Sequence, residues 1–374
     1  MLMYQFTRVN MKKNTYKSII NMKEIARQAG VTRTTVSYVL NGRYKKDLKI
    51  TDQVVQKVFA ISKKLGYRRN ALACLIKKGN SNIIGFLGDI GEQGNAYMTG
   101  MLKGMTETLQ DNNYLLKLFS LTDQNFKELC RQCVEQRLGG VICRLSDELK
   151  LEYLRREFAH YKIPVVLLGN SIQHDWCSRV ITDDISGITL ALEHLVSLGH
   201  RKIGHLTIDV EMGLVIARRE GFIKGLKIAG IPFKKKSIFS IPPGFAMHKD
   251  YYALFDNFFK SFKPTAVICA SDALAMKLEI WAYARGVRIP EALSITGFGN
   301  QDFSLLACPP LTTIAQPMAL MGKRAAEIIL EIAEKKEISY SDELLPVKLV
   351  IRESTGLACD VSEQIIERAI KKNH

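Results

Sequence analysis

From residue 83 onward, short apolar runs alternate with segments whose apolar residues recur at helical spacing. Apolar runs bounded by polar or glycine residues are typical of strands buried on both faces, and three- and four-residue spacing is typical of helices. The predicted strands cover 83–87, 114–119, 140–143, 165–168, 202–207, 266–270 and 294–298. The predicted helices cover 98–111, 125–136, 149–159, 187–198, 215–229, 251–262 and 271–285.

This alternation of strands and helices predicts parallel sheets that are covered by helices on both faces. Because it extends over nearly 300 residues, it favours two sheets with a cleft between them. Ligands of such folds bind at the carboxyl ends of the strands. The larger part of the chain is therefore predicted to bind a small molecule.

The first part of the chain has a different pattern, that of three short helices. A helix is predicted over 22–29, a second over 33–40 with Thr32 as its N-cap, and a third over 52–65 with Thr51 as its N-cap. Two helices joined by a short turn, with a polar outer face on the second, are the arrangement of DNA-binding domains. The outer face of the second helix carries Arg33, Thr34, Ser37, Tyr38 and Asn41.

The excess positive charge of the chain lies in the same region. The formal net charge is +16, and residues 1–81 hold 18 basic and 3 acidic residues, so the remainder is nearly neutral. A local excess of this size favours a polyanionic partner, since Lys and Arg side chains neutralise phosphates. The alternative is a basic tail that only aids solubility.

Several functional classes find no support in the sequence. No apolar run reaches the roughly eighteen residues of a membrane-spanning helix, and residues 1–20 lack the apolar core of a signal peptide, so a cytoplasmic protein without membrane contact is expected. The G-x-S-x-G, P-loop, H-E-x-x-H and G-x-G-x-x-G patterns of enzymes are absent. Cys130 and Cys133 lie one helical turn apart, which favours core thiols over a metal site. No cofactor is expected.

Taken together, the motifs resemble those of the LacI family of bacterial repressors. The resemblance begins with the run MKEIARQAGVTRTTVSYVLNG at 22–42 and continues through LGY at 65–67 and Asn70. It spans residues 21–357. Further matching motifs are DDISG at 183–187, LGHR at 198–201, RREGF at 218–222, SD at 271–272, ITGF at 295–298, PLTT at 310–313 and IRESTG at 351–356.

The resemblance implies a small all-α helix-turn-helix headpiece followed by a periplasmic-binding-protein-like α/β core with two subdomains. The implied segments are a basic extension at 1–20, a DNA-binding domain at 21–68, a hinge helix and linker at 69–81, a ligand-sensing and dimerisation core at 82–357 and a tail at 358–374. The N-subdomain would hold 82–180 and 313–342, and the C-subdomain 181–312 and 343–357. The three crossovers are then expected at about Val180, at 311–313 and near Leu344.

The resemblance also assigns residues to DNA. Arg33 and Thr34 match positions that read base edges, although Arg33 could instead contact phosphate alone. Tyr38 stands where the family commonly has arginine, so a different operator sequence is expected. The other assigned residues are Thr32, Thr35, Ser37, Asn41 and Thr51, which match backbone-contacting or supporting positions, together with Tyr67 and Asn70.

Residues 69–78 resemble the family's hinge helix, which folds on DNA and inserts an apolar side chain into the minor groove. Ile76 matches the inserted position. Arg69 and Cys74 differ from the proline and arginine that are common in the family. The alternative for Ile76 is packing against the core.

The effector site is assigned in the same way. Arg218 matches the family's effector-contacting arginine, whose planar guanidinium suits sugar hydroxyls, carboxylate or phosphate, while a structural ion pair is the alternative. Ser271 and Asp272 follow a strand at its carboxyl end. Asn300 and, as the alternative, Asp302 are candidate replacements for a carboxylate that the family pattern places at residue 299. Three further candidates follow the first strand: Asp89, Asn95 and Tyr97, of which Tyr97 could stack on a sugar or pack in the core.

The favoured function is therefore a transcriptional repressor. It would bind a pseudo-palindromic double-stranded operator as a homodimer, and a carbohydrate or sugar derivative in the cleft would control its affinity for DNA. The alternative is a solute-binding receptor without sequence-specific DNA binding, which the basic headpiece disfavours.

Overall fold

The structure is a computed structural model of the 374-residue chain. It describes residues 20–42, 44, 50–67, 81–88, 95–122, 124–169, 172–210, 212–242, 251–335, 340–359, 366 and 370. The chain folds into two compact units, Met1–Lys78 and Gly79–His374.

The first unit contains three helices, α1 (Met22–Ala29), α2 (Arg33–Leu40) and α3 (Asp52–Leu65), at the predicted bounds. Side-chain caps start two of them, because Asn21 accepts hydrogen bonds from the N–H groups of Lys23 and Glu24, and Thr32 accepts one from the N–H of Thr35. Thr51 occupies the N-cap position of α3 without a capping hydrogen bond from its side chain. Their shared core consists of Ile25, Ala26, Ala29, Val36, Val39, Val55 and Val58.

The second unit alternates strands and helices, as predicted. In chain order its elements are β1 (Ile83–Gly88), α4 (Asn95–Asp111), β2 (Leu115–Ser120), α5 (Phe126–Glu135), β3 (Gly140–Arg144), α6 (Glu148–His160), β4 (Val165–Leu168), β5 (Ser178–Thr182), α7 (Asp184–Ser197), β6 (Ile203–Ile208), α8 (Gly213–Ile228), β7 (Ile238–Ile241), α9 (Tyr251–Phe262), β8 (Ala266–Cys269), α10 (Asp272–Arg285), β9 (Ser294–Gly299), α11 (Phe303–Leu306), β10 (Thr312–Ala315), α12 (Met318–Lys335), β11 (Asp342–Leu345) and β12 (Lys348–Val350).

The strands form two six-stranded sheets. The first has the order β11-β5-β4-β3-β1-β2 and is parallel throughout. The second has the order β12-β10-β9-β8-β6-β7 and is parallel except for the edge pair β10–β12. The central strands are buried along their length because helices cover both faces. The predicted fold class, a helical headpiece followed by an α/β core with two sheets, is confirmed.

The chain passes between the two sheets three times. It leaves the first sheet after Thr182, returns between Ala315 and Met318, and leaves again between Leu345 and Lys348. The crossovers expected from the resemblance, at Val180, 311–313 and Leu344, lie within a few residues of these points. The segment bounds given above remain predictions.

Helices α4 and α12 make a close crossing that depends on two glycines. A Cβ atom at Gly104 would lie 2.0 Å from the carbonyl oxygen of Ala319, and one at Gly322 would lie 2.0 Å from the carbonyl oxygen of Met101. Only a residue without a side chain allows backbones to approach so closely. The same two helices carry Met101, Met318 and Met321, so this crossing positions one wall of the cavity described below.

Several elements were not predicted from the alternating pattern. They are β5, β7, β10, β11, β12, α11 and α12. The strands are three to five residues long, and β11 and β12 are largely exposed edge strands without a continuous apolar run. Helix α7 begins at Asp184 rather than residue 187, because the Asp183 carboxylate accepts a hydrogen bond of 3.0 Å from the N–H of Ser186 and caps the helix earlier.

Cys130 and Cys133 lie in the core of the second unit, as predicted. Both side chains are fully buried on α5, and burial raises the pKa of each thiol to about 12. Across the described residues no group of three or more His, Cys, Asp or Glu side chains is arranged to hold a metal ion. In the same part of the chain, every helix is too short or too polar to cross a membrane.

Two residues of the tail at 358–374, Ile366 and Ile370, are buried. Each is 2% exposed, and both belong to the same core as Phe259 and Trp281 of the second sheet's outer helices. These two side chains are therefore components of the second unit's core.

Burial shifts the pKa values of two titratable groups in the second unit, His205 and Glu279, in opposite directions. His205 on β6 stacks on Phe222 and makes a 3.0 Å hydrogen bond with the carbonyl oxygen of Ile268, and burial lowers its pKa to about 4. Burial, with a smaller effect from the Asp272 carboxylate, raises the pKa of Glu279 to about 7. His205 is therefore neutral in the folded protein near neutral pH, while Glu279 titrates there.

We expect His205 to weaken the fold in mild acid. Between its ordinary pKa of 6.5 and its folded value of about 4 the unfolded chain binds the proton more tightly, so stability is lost as pH falls through this window. The expected loss between pH 7 and pH 5 is about 2 kcal/mol. Urea denaturation of His205→Asn, which keeps a polar group without titrating, should lack this contribution.

Glu279 should show the opposite dependence of stability on pH in the same urea denaturation experiment. Its folded pKa lies above its unfolded one, so its contribution is present below pH 4.5 and is lost as pH rises through about 7. Glu279→Gln should therefore gain stability relative to the wild type more at pH 8 than at pH 5. Identical pH profiles of the wild type and both variants would contradict the two assignments.

Candidate functional site

The first candidate site is the exposed surface at the start of α2. Thr32 caps this helix, and Arg33 and Thr34, its first two residues, are exposed. The amino end of a helix carries unpaired N–H groups and a partial positive charge, which favours an approaching anion. Thr35, Ser37, Tyr38 and Asn41 are partly exposed on the same short helix and at its end.

Side-chain hydrogen bonds hold this surface in place. The hydroxyls of Thr32 and Thr35 lie 2.9 Å apart, and Asn41 Nδ2 donates to the carbonyl oxygen of Ser37 at 2.6 Å. Thr51 is exposed at the start of α3. Other predicted DNA residues are less accessible or outside the described residues: Tyr67 is partly buried against the helical core, and Asn70 and Ile76 lie in the segment that the structure does not describe.

The second candidate site is a cavity in the second unit with a free volume of about 190 Å³. Strand residues of the first sheet, residues that follow β8 and β10 of the second sheet, and residues of four helices line it, which places it in the predicted cleft. Its polar lining consists of Arg144, Thr182, Asp184, Arg218, Ser271 and Gln316. Its apolar lining consists of Met101, Leu168, Ile181, Leu214, Met318 and Met321, with Gly169.

Arg218 is the buried cation of this cavity. Its Nε donates to Asp184 Oδ2 at 2.9 Å, its Nη1 donates to the carbonyl oxygen of Ala270, and its guanidinium carbon lies 3.8 Å from the centre of the Phe298 ring. The arginine side chain is 7% exposed, and so is that of Asp184. The two interpretations of Arg218 are thus compatible, since it both forms a buried ion pair and lines the cavity.

A chain of hydrogen bonds extends from Asp184 to two of the crossovers. Thr182, the last residue of β5, donates to Asp184 Oδ1 at 2.7 Å, and Gln316, the first residue after β10, donates from Nε2 to Thr182 Oγ1 at 2.8 Å. Gln316 Nε2 also lies 3.4 Å from Asp184 Oδ1. These hydrogen bonds therefore connect Arg218 with two of the segments at which the chain passes between the sheets.

The remaining predicted effector residues differ in whether they line the cavity. Ser271 lines the cavity. Asp272 and Asn300 do not line it: the Asp272 carboxylate accepts hydrogen bonds from Thr313 Oγ1 and the N–H of Gln301, and Asn300 Oδ1 accepts one from Arg352 Nη2 at 2.6 Å.

The Asp272 carboxylate is buried beside the second sheet, where it bonds to Thr313 and Gln301. Burial raises its pKa, while the hydrogen bonds from Thr313 and Gln301 oppose that change. Asp272 and Asn300 thus lie outside the cavity lining and bond to groups around the second sheet, and their assignment to the effector site remains a prediction. Asp89 and the side chains of Asn95 and Tyr97 lie outside the described residues.

Sequence reasoning did not identify most of the cavity lining. Asp184 lies within the DDISG motif, which marked this segment in the sequence. Thr182 ends β5 and Gln316 follows β10, but these two strands were themselves not predicted from the pattern. The methionines of α4 and α12 resemble ordinary core residues, and only the fold brings them to the cavity.

Comparisons with known proteins identify the family of both units. Residues 21–70 match the model for bacterial regulatory proteins of the lacI family, and residues 192–355 match a periplasmic binding protein-like domain. The repressor PurR of Photobacterium profundum is 30% identical over 343 residues, covering 89% of this chain and 98% of that protein. The chain belongs to the LacI family of bacterial regulatory proteins. Members of this family are DNA-binding transcriptional regulators and not enzymes.

A second relative is similar over nearly its whole length, and two solved structures share the fold. The ribose operon repressor of Haemophilus influenzae is 28% identical, covering 89% of this chain and 98% of its own. A lac repressor dimer bound to operator and the anti-inducer ONPF has a TM-score of 0.75 at 21% identity, over 90% of this chain and 99% of that one. A ribose-bound LacI-family regulator from Enterococcus faecium has a TM-score of 0.64 at 26% identity, over 73% and 98%.

Proposed function

We propose that this LacI-family protein is a repressor that recognises a pseudo-palindromic operator through α2. A small molecule bound in the cavity changes its affinity for DNA. The observation that carries the proposal is the placement of Arg33 and Thr34, exposed at the first two positions of a capped helix in the basic part of the chain. Such a helix enters the major groove with its first residues toward the base edges.

The cavity supports the second half of the proposal. Arg218, Ser271 and four further polar residues line the cavity between the two sheets, and the same cavity borders two crossovers. A ligand in the cavity shifts the equilibrium between two arrangements of the sheets only if it binds one arrangement more tightly than the other. This difference in binding free energy sets the change in DNA affinity. The sugar-bound relative and the ribose repressor favour a carbohydrate or sugar derivative.

A homodimer completes the proposal. Two copies present two reading helices, and a two-fold axis relates the halves of a pseudo-palindrome. The lac repressor structure that shares this fold is a dimer on operator. Because its target is bacterial DNA, the protein is proposed to act in the cytoplasm. The other predicted DNA contacts, from Thr32, Thr35, Ser37, Tyr38, Asn41, Thr51, Tyr67, Asn70 and Ile76, belong to this proposal.

Replacing Arg33 by alanine is expected to weaken sequence-specific binding. An arginine that forks onto a guanine contributes about 1–3 kcal/mol of base discrimination, whereas a phosphate contact contributes equally to all sequences. We would select the operator from a random DNA pool with purified full-length protein and measure its affinity and that of a scrambled duplex by fluorescence anisotropy. Arg33→Ala should reduce the ratio of the two affinities.

Arg27→Ala provides the matched control. Arg27 is also exposed on a headpiece helix, but it is paired with Glu24 at 2.6 Å within α1. This variant should keep the ratio of operator to scrambled affinity. If selection enriches no palindrome, or if Arg33→Ala weakens both duplexes equally, base reading by Arg33 is excluded and the solute-receptor alternative gains support.

A further inference from the structure

One part of the second unit's surface combines lysines with exposed apolar side chains. Residues 221–242 hold five lysines and no aspartate, glutamate or arginine, although the chain beyond residue 81 is nearly neutral overall. We propose that this surface, the basic strip, binds an acidic segment of another protein that carries apolar side chains between its carboxylates. The strip consists of Ile223, Lys224, Lys227, Ile228, Phe233, Lys234, Lys235 and Lys236.

The inference is separate from the proposed function. The residues of the basic strip lie in the second unit and therefore outside the DNA-binding headpiece, and none of them lines the cavity. Loss of operator binding would leave the proposal about the strip intact, and failure of the proposal would leave the repressor function intact.

Four side chains of the strip share one face of α8. Ile223 and Lys227 are four residues apart, as are Lys224 and Ile228, so the four are neighbours on the helix surface. All four are exposed, with Ile228 at 60%. The opposite face of α8 packs against α7 and the second sheet. Any molecule that approaches α8 from the solvent therefore meets two apolar and two basic side chains side by side.

The chain turns back at the end of α8 and forms the other half of the strip. A 2.9 Å hydrogen bond from the N–H of Ile231 to the carbonyl oxygen of Leu226 closes the end of the helix. The following turn is fixed by Ser237, whose N–H and hydroxyl both donate to the carbonyl oxygen of Lys234, at 2.8 and 2.6 Å. The exposed side chains of this turn are Phe233, Lys234, Lys235 and Lys236.

The charge of the strip is not balanced by neighbouring acids. Among the described residues, none forms an ion pair with any of the five lysines, and even Glu220, one helical turn before Lys224, is too distant to do so. A lysine in the last turn of a helix stabilises that helix, which accounts for Lys227 but not for the three lysines of the following turn. The uncompensated charge attracts an acidic partner and increases its rate of association.

The composition of the strip decides among the possible partners. A second copy that docked through the same surface about a two-fold axis would place the lysines opposite one another, which opposes association. Interfaces with nucleic acids are more polar and use arginine widely, whereas the strip has no arginine and three exposed apolar side chains. Membranes bind helices that have a continuous apolar face, and lysines interrupt that of α8. An acidic protein segment with apolar side chains complements both kinds of group.

Photo-crosslinking of the full-length protein tests the assignment. The probe is a synthetic peptide of glutamate and leucine that contains one benzoylphenylalanine, and its control is an all-glutamate peptide of the same net charge. Mass spectrometry should locate crosslinks of the probe within 221–242. Fluorescence anisotropy should show that the probe binds about fivefold more tightly than the control, because its leucines cover the apolar side chains of the strip.

The headpiece is also basic and competes for any acidic peptide, so the position of the crosslinks is decisive. Crosslinks confined to residues 1–81 would overturn the proposal. Equal affinity of the two peptides would also overturn it, because a surface that attracts charge alone does not select a protein segment with apolar side chains.

The variant Lys224→Glu/Lys235→Glu reverses one charge in each half of the strip. It should bind the probe about tenfold more weakly at low salt and lose less affinity at high salt, because exposed charges are screened. Lys162→Glu/Lys348→Glu is the matched control, since both of its lysines are exposed, lie outside 221–242 and change the net charge equally. An equal loss of affinity in the two variants would overturn the proposal.

The variant Ile228→Ser/Phe233→Ser tests the apolar half of the recognition. Both side chains are exposed, at 60% and 46%, so the fold should be retained. Its affinity for the probe should fall to that for the all-glutamate peptide. A variant that still prefers the probe would overturn the proposal. So would binding of a scrambled DNA duplex, or of phosphatidylglycerol vesicles, that falls in Lys224→Glu/Lys235→Glu as far as binding of the probe does.

Discussion

Asp184→Leu is expected to lower the free energy of unfolding by about 3–5 kcal/mol, because it leaves the Arg218 guanidinium buried without its counter-ion. Both side chains of the pair are 7% exposed, and the 2.9 Å contact lies between Nε and Oδ2. The variant also removes the acceptor of the Thr182 hydroxyl. Urea denaturation followed by far-ultraviolet circular dichroism would measure the loss.

The double variant Asp184→Leu/Arg218→Met separates the structural role of the pair from its function. Replacing a buried ion pair by apolar side chains of similar size is often neutral or stabilising, so the double variant should recover most of the stability that the single variant loses. It should not recover binding of a ligand that requires the donors of Arg218. Stability and ligand affinity would then change independently.

Two results would contradict this account. If Asp184→Leu unfolds at the same urea concentration as the wild type, the ion pair is not a buried interaction that the fold depends on. If the double variant still binds the cavity's ligand as tightly as the wild type does, Arg218 acts only as a structural residue. The second result would leave the fold prediction intact and remove Arg218 from the effector site.

The sequence was sufficient for the parts of the molecule that are governed by local pattern. The headpiece helices agree with prediction to the residue because caps such as Thr32 and terminators such as Gly30, at φ 70°, act within one turn of the chain. The central strands were predicted because burial on both faces makes them continuously apolar. Arg218 was identified through a motif, and the structure brings it to the cavity.

The cavity lining was predicted less completely because it depends on contacts between distant parts of the chain. Thr182 and Gln316 are 134 residues apart and meet only because two crossovers run side by side. The sequence shows that Asp272 follows a strand end, but not that Thr313 and Gln301 occupy its carboxylate. Edge strands such as β12 escape prediction because the sheet, rather than their own composition, makes them strands.

Gly322→Ala is expected to lower the free energy of unfolding by about 3 kcal/mol, the upper part of the range for overpacked cores. The added Cβ would lie 2.0 Å from the carbonyl oxygen of Met101, and neither backbone can move aside as a flexible side chain would. Helices α4 and α12 must therefore separate. Because Met101 and Met321 lie on these helices and line the cavity, affinity for the cavity's ligand should fall together with stability.

Gly225→Ala is the matched control for this prediction. Gly225 also lies within a helix, α8, but the nearest atom to an added Cβ is the side-chain methyl Leu192 Cδ1 at 3.2 Å, which can shift by a small rotation. Alanine favours a helix over glycine by roughly 0.5–1 kcal/mol, which offsets the crowding, so stability should change little. Both variants add one methyl group, which would meet backbone atoms at Gly322 and a side chain at Gly225. Urea denaturation would compare the stability that each variant loses. Equal midpoints would show that α4 and α12 separate at no cost, and the close crossing would then not be what fixes the methionine wall of the cavity.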